Sequence, residues 1–251
     1  MASPLFLGSD HGFRHRGFCH LTTAEAWQGI AQSGMVEATR ENVVKHLQSA
    51  DDRRLCAEQE QTGVFTIDPD NFSRRWLCEG AAYPDGTVSS GDYHLRRFTR
   101  RVARDFARKD ALAFDAMQAP WAEVCRFLKN YRDEPALALV ALPGHFDDGE
   151  ILVRDHSHMY SAEPPPDDGN YDHRFRALLS SVRTLFQWER EPARPDHSWE
   201  FIIPRNVRVS EGVRLEKMLS VRDVLSMFTQ NAHGDKGKVD PEQVRRLLVN
   251  A

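Results

Sequence analysis

The spacing of apolar and polar residues divides the chain into alternating extended and helical pieces. Phe18-Cys19-His20-Leu21 reads as a short strand. Thr22 and Glu25 then have the spacing of a capping box opening a helix, with Trp27, Ile30 and Ala31 as its apolar stripe and Gly34 as its stop. A second helix is expected from Thr39 to Gln48, and Gly63-Val64-Phe65-Thr66-Ile67 is the next strand. Asp68-Pro69 has the form of a helix opening, and Tyr83 to Gly91 of a turn-rich loop. From Asp92 to Met117 the apolar residues Leu95, Phe98, Val102 and Phe106 step by three and four, which predicts a long helix, and Trp121 to Leu128 predicts a short one.

The apolar runs Ala136 to Leu142 and Glu150 to Arg154 flank Asp147-Asp148-Gly149 and are expected to pair as a hairpin. Ala162 to Gly169 reads as a loop, Phe175 to Trp188 as an apolar helix, and Pro192 to His197 as a linker. Ser198 to Val209 is the most strand-like late segment, with Pro204 marking its edge or end. Two terminal helices are expected at Val221 to Phe228 and Asp240 to Val249, joined by a helix–turn–helix connection. There is no internal repeat. The irregular alternation, with two runs expected to form a hairpin, predicts an α+β domain with a largely antiparallel or split sheet rather than a doubly wound parallel one.

Composition adds boundaries. The chain has 251 residues, 33 Lys plus Arg against 37 Asp plus Glu, and a net charge of −4. A chain this long buries about three quarters of its unfolded surface, so it needs no staple. The near-neutral balance argues against a strongly basic nucleic-acid binder, and no run approaches the roughly 18 apolar residues of a membrane span. The N-terminus lacks the pattern of a signal peptide. Four scattered cysteines, Cys19, Cys56, Cys78 and Cys125, form no C-x-x-C pair and are read as free, mostly buried thiols. Arg96, Arg97, Arg100, Arg101, Arg104 and Arg108 line the long helix. A solvated basic face is the favoured reading, and a patch for phosphate or an acidic partner is the alternative.

Three polar positions on strands carry candidate chemistry. His20 ends the first strand, Phe65-Thr66 lies in the second, and Glu200 is flanked by Trp199 and Phe201 in the late strand. Because strand side chains alternate, Glu200 faces away from its aromatic neighbours. Each has a plainer reading: a hydrogen-bonded core histidine, a capping role for Thr22, a solvent-face glutamate. His156 and His158 form an H-x-H pair beside Asp155, and His11 and His15 are four apart, but neither set has the ligands of a metal centre, and no metal is expected. Asp235, Gly237 and Asp240 fail the spacing of a calcium loop, and no phosphate-binding glycine motif is present.

The segment F-C-H-L-T-T-A-E-A-W-Q-G-I-A-Q-S-G-M-V resembles the opening of the ADP-ribosyltransferase superfamily, matching it at His20, Thr22, Ile30, Gly34 and Met35. T-G-V-F-T-I-D-P is similar to its second motif and W-E-F-I-I-P to its third. The arrangement is His–aromatic–Glu, with Phe65 where the better-known subgroup has tyrosine.

The resemblance implies a split, mostly antiparallel sheet with surrounding helices. It implies a catalytic domain over residues 1–212 and a C-terminal helical extension, 213–251, packed on that domain. It implies a mono-ADP-ribosyltransferase with NAD as co-substrate. Glu200 would be the catalytic carboxylate, His20 would bond the adenosine-side ribose, Thr22 would add a hydroxyl, and Phe65 would stack on nicotinamide. Trp27 is assigned to helix packing.

A protein acceptor is expected before nucleic acid. The family context is a bacterial effector or toxin modifying a host GTPase or ubiquitin-system protein, held in the bacterial cytoplasm before export or secreted into the host cytosol. The alternatives are a nucleic-acid-directed transferase of the same fold and a non-enzymatic interaction domain.

Overall fold

The computed structural model of the protein describes residues 18–40, 50–66, 90–142, 151–155, 172–184, 187, 199–230 and 236–248. Residues 41–48 of the helix expected from Thr39 to Gln48, the Asp68-Pro69 helix opening, residues 83–89 of the loop expected from Tyr83 to Gly91, the Ala162–Gly169 loop, the Asp147-Asp148-Gly149 turn and the Pro192–His197 linker lie outside those residues, and Ser90 and Gly91 are the start of a helix rather than the end of that loop. So do His11, His15, His156, His158, Cys78 and Asp235.

The architecture is mixed helix and antiparallel sheet, and every strand pairing among the described residues is antiparallel. The first sheet places β5 (Pro135–Ala141) between β1 (Cys19–Thr23) and β10 (Arg214–Ser220). The second has the order β3 (Thr39–Arg40), β4 (Thr62–Thr66), β8 (Trp199–Ile203), β6 (Leu152–Asp155), β7 (Arg183–Thr184). Two small ribbons complete the strands, β2 (Met35–Val36) with β9 (Val207–Arg208), and β11 (Phe228–Gln230) with β12 (Lys236–Val239).

The apolar run of β5 follows from its position. Leu137 and Leu139 point to one face and Ala138 and Val140 to the other, and all four are fully buried. A strand covered on both faces has no polar side, so its sequence does not alternate. On one face Leu137 and Leu139 join Leu95, Val102 and Phe106 of α3 (Ser90–Lys109), together with Val124 and Leu128 of α4 (Trp121–Leu128). Val224 of α6 (Val221–Ser226) and Val244 of α7 (Pro241–Leu248) complete that cluster. On the other face Ala138 and Val140 meet Val64, Val153, Phe201 and Ile203 of the second sheet, with the Phe18 and Phe201 rings 5.2 Å apart. The core is therefore two layers, one on each side of β5.

Several local expectations hold. Helix α1 (Ala24–Ser33) stops at Gly34, whose φ of +71° is the left-handed conformation that glycine adopts without strain and whose N–H reaches the Ile30 carbonyl. Trp27 and Ile30 pack against the second core layer. Asp240 caps α7, its carboxylate accepting from the Gln243 N–H at 3.1 Å. Strand β8 ends before Pro204. Cys19, Cys125 and Cys56, the last residue of α2 (Ala50–Cys56), are buried thiols outside any disulfide.

Other expectations are corrected. The α1 cap is Thr23, not Thr22: Thr23 Oγ1 accepts from the Ala26 N–H at 3.2 Å. Thr39 and Arg40 form a strand, not a helix start. The helix predicted from Asp92 to Met117 ends at Lys109, where Ala111 takes a positive φ of 52°. The runs 136–142 and 150–154 do not pair with each other but enter different sheets. The helix expected from Phe175 to Trp188 is α5 (Asp172–Ser180), after which the chain turns into β7. The expected terminal helix–turn–helix is a β11–β12 hairpin between α6 and α7. The 213–251 segment, expected as a helical extension, begins with β10, an edge strand of the first sheet.

The basic face of α3 is partly committed to structure. Arg96 donates to the Gly237 carbonyl at 2.8 Å and lies 4.7 Å from the Trp121 ring centroid. Arg100 donates to the Ala116 and Ala119 carbonyls, both at 2.7 Å. Among the described residues no helix is long and apolar enough to cross a membrane.

Candidate functional site

The two sheets approach each other where β1 meets β4. Leu21 and Cys19 point into the helical layer, so alternation turns His20 and Thr22 to the opposite face, towards the second sheet. His20 crosses the seam: its Nδ1–H donates to the Phe65 carbonyl at 3.0 Å. Burial of the ring pushes its pKa below the ordinary value of 6.5, and the bond to Phe65 opposes the shift only in part. A neutral ring with Nδ1 committed as donor presents Nε2 as an acceptor. Thr22 is buried on the same face of β1, and with Thr23 doing the capping its hydroxyl is not needed for α1.

Phe65 lies on β4 opposite Ile202 of β8, and Glu200 is two residues from Ile202 on the same face. Val64, Thr66, Phe201 and Ile203 occupy the reverse face and are buried; Thr66 Oγ1 donates to the Phe201 carbonyl at 2.9 Å. The close approach of β4 to β8 rests on Gly63, where an added Cβ would stand 2.5 Å from Ile202 Cγ2 and 2.7 Å from the Ile203 carbonyl oxygen.

Sequence reasoning missed the group that joins Phe65 to Glu200. Arg154 of β6 lies directly opposite Glu200. Its Nε donates to Glu200 Oε2 at 2.8 Å, and Nη2 donates to the same oxygen. The guanidinium carbon lies 5.4 Å from the Phe65 ring centroid. The Arg154 side chain is 4% exposed and that of Glu200 16%. The available signal was an arginine inside the apolar strand I-L-V-R-D; nothing local named its partner.

The structure thus links His20 to Phe65 directly, and Phe65 to Glu200 through Arg154. One side of the Phe65 ring already carries a flat cation. No cluster of three or more metal-ligating side chains occurs among the described residues. A cavity of about 560 Å³ opens elsewhere, between the start of α1 and the end of α3, lined by Thr23, Glu25, Asp105, Arg108, Lys109 and Glu134; none of the three sequence-marked strand positions lines it.

Comparison with known protein families, with characterised proteins and with solved structures finds no match.

Proposed function

We propose that the protein is an NAD-dependent mono-ADP-ribosyltransferase of ADP-ribosyltransferase-like fold, with a protein side chain as acceptor. The observation that carries this reading is the His20–Phe65 hydrogen bond across the seam of the two sheets, with Glu200 on the Phe65 face of the adjoining strand. His–aromatic–Glu is the order that the sequence motifs suggest, and the three positions belong to one connected set of contacts.

NAD joins a ribose to nicotinamide through a glycosidic bond whose cleavage develops positive charge on the sugar. A fixed carboxylate stabilises that charge and accepts from the ribose 2′-hydroxyl as it polarises. Glu200 is the carboxylate in this reading. His20 Nε2 accepts from a ribose hydroxyl on the adenosine side and needs no proton transfer, which suits a ring whose pKa burial has lowered. Thr22 adds a hydroxyl beside it. Phe65 offers the nicotinamide ring the side that Arg154 does not cover. A bacterial effector acting on a host regulator is the setting this reading favours.

The test incubates the chain with labelled NAD, candidate acceptor proteins and oligonucleotides, comparing wild type with Glu200→Gln. Transfer to protein, or release of nicotinamide to water, is expected from the wild type. The variant should lose turnover by about 10²–10³-fold with little change in KM, because the contact strengthens in the transition state. A wild type that releases no nicotinamide with any acceptor overturns the proposal, and unchanged turnover in Glu200→Gln removes Glu200 from it. Label on oligonucleotide alone reassigns the acceptor.

A further inference from the structure

The contact between Arg154 and Glu200 is unlike an ordinary fork-to-fork pair, in which two guanidinium nitrogens meet two carboxylate oxygens. Here Nε and Nη2 converge on Oε2. Oε1 makes no hydrogen bond among the described residues, and the carboxylate side is the more open half of the pair, 16% exposed against 4% for the arginine. The arginine is itself held on three sides. Its backbone is in register with Glu200 in the middle of the second sheet, Phe65 flanks its guanidinium at 5.4 Å, and the strand that carries it lies against α5. A side chain so confined fixes the angle at which it presents its two donors.

We propose that Arg154 is the positioning residue of Glu200: it grips one carboxylate oxygen with two donors so that the other is presented to the ribose 2′-hydroxyl. The inference rests on the transferase reading of Glu200 and deepens it by adding the group that sets the carboxylate's direction. Exposure and buried charge alone make Arg154 an anchor of the sheet. The convergence on a single oxygen is what makes it an orienting device, because an anchor has no need to leave the second oxygen unengaged. It also accounts for an arginine rather than a lysine. An ammonium is a point charge on a flexible stem and does not define an angle, whereas the planar fork does. The same guanidinium, by covering one side of Phe65, leaves a flat substrate ring a single side on which to stack.

The experiment measures nicotinamide release at saturating and sub-saturating NAD for wild type, Arg154→Lys and Arg154→Ala, each checked for its unfolding midpoint, with Arg154→Ala also assayed in added guanidinium. Misdirecting a catalytic group by about 1 Å costs on the order of 10²-fold, so Arg154→Lys should lose about 10- to 100-fold in kcat with KM within about twofold of wild type. Guanidinium should restore turnover of Arg154→Ala in a saturable way, as a separate cation occupying the vacated place. Arg154→Lys keeps the charge and decides the matter if Arg154→Ala does not fold. Wild-type kcat in Arg154→Lys overturns the inference and leaves the role of Glu200 standing. A wild-type chain that releases no nicotinamide overturns both.

Discussion

The two sheets solve different problems with the same backbone pattern. In the first, β5 is buried on both faces and its neighbours add Cys19, Leu21 and Leu219, so that central strand is an apolar wall between two core layers. In the second, one face is equally apolar, with Val64, Val153, Phe201 and Ile203 packed inward, but the reverse face carries Phe65, Glu200 and Arg154. A buried arginine–carboxylate pair is weak evidence for stability, since desolvation offsets much of the attraction. In the proposed reading the second sheet therefore carries the carboxylate and its arginine, while the first supplies an apolar support behind His20 and Thr22 of β1, and substitutions at Glu200 and in the β5 core should fail in different ways.

The largest contrast is between Glu200 and Leu139. Glu200→Gln should lose about 10²–10³-fold in turnover while keeping an acceptor for Arg154. Glu200→Ala takes one carboxylate contact from that buried guanidinium, and should also lose stability, by no more than the lower end of the roughly 3–5 kcal/mol typical of breaking a buried pair because the site is partly open. Leu139→Ala should do the reverse: about 2–5 kcal/mol lost in urea unfolding, with nicotinamide release per folded molecule unchanged. If Leu139→Ala lowers turnover of the folded fraction as much as Glu200→Gln does, the division of labour between the sheets fails.

Gly63→Ala tests the junction of the second sheet. Its new methyl would meet the Ile203 carbonyl as well as a side chain, and backbone does not move aside cheaply, so a loss of about 1–3 kcal/mol is expected by chemical denaturation. A neutral outcome would mean that β4 and β8 have slack at the point where they align Phe65 with Glu200.

The smallest effect sharpens the seam. Because burial lowers the His20 pKa, the unfolded chain takes up that proton first as pH falls. The linkage is silent well above about 6.5, and stability declines as pH drops below it towards the folded-state value. His20→Gln should flatten that part of the urea-midpoint profile between pH 7.5 and 5.5 relative to wild type; an unaltered slope would assign the titration elsewhere.

What could be read from the residues was local. Gly34 as a helix stop, Asp240-Pro241 as a helix start and Pro204 as a strand end act within a turn of themselves, and the structure keeps all three. Thr22 and Thr23 are adjacent hydroxyls, either of which satisfies the composition of a cap, and only backbone geometry selects Thr23. The runs 136–142 and 150–154 read correctly as strands and wrongly as partners, because apolarity says that a strand is buried but not which sheet takes it. Leu178, Leu179 and Val182 have helical spacing, yet pairing of Arg183 and Thr184 with β6 draws the chain out of the helix. Arg154 and Glu200 lie in segments that α5 and β7, among the described elements, separate in sequence, so their partnership depends on a register that no local pattern encodes.

The placement of β5 between β1 and β10 also bears on how the chain comes to be folded. Each flanking strand is drawn from a remote part of the sequence, so the first sheet closes two long loops before either pairing is rewarded, a topology associated with slow folding. During synthesis β1 and β5 emerge well before Ser220, and until then one edge of β5, the most apolar of the described strands, lacks the β10 neighbour that covers it in the folded protein. The nascent protein therefore passes through a stage with an unpaired hydrophobic strand edge, the kind of surface that chaperones shield and that aggregation exploits.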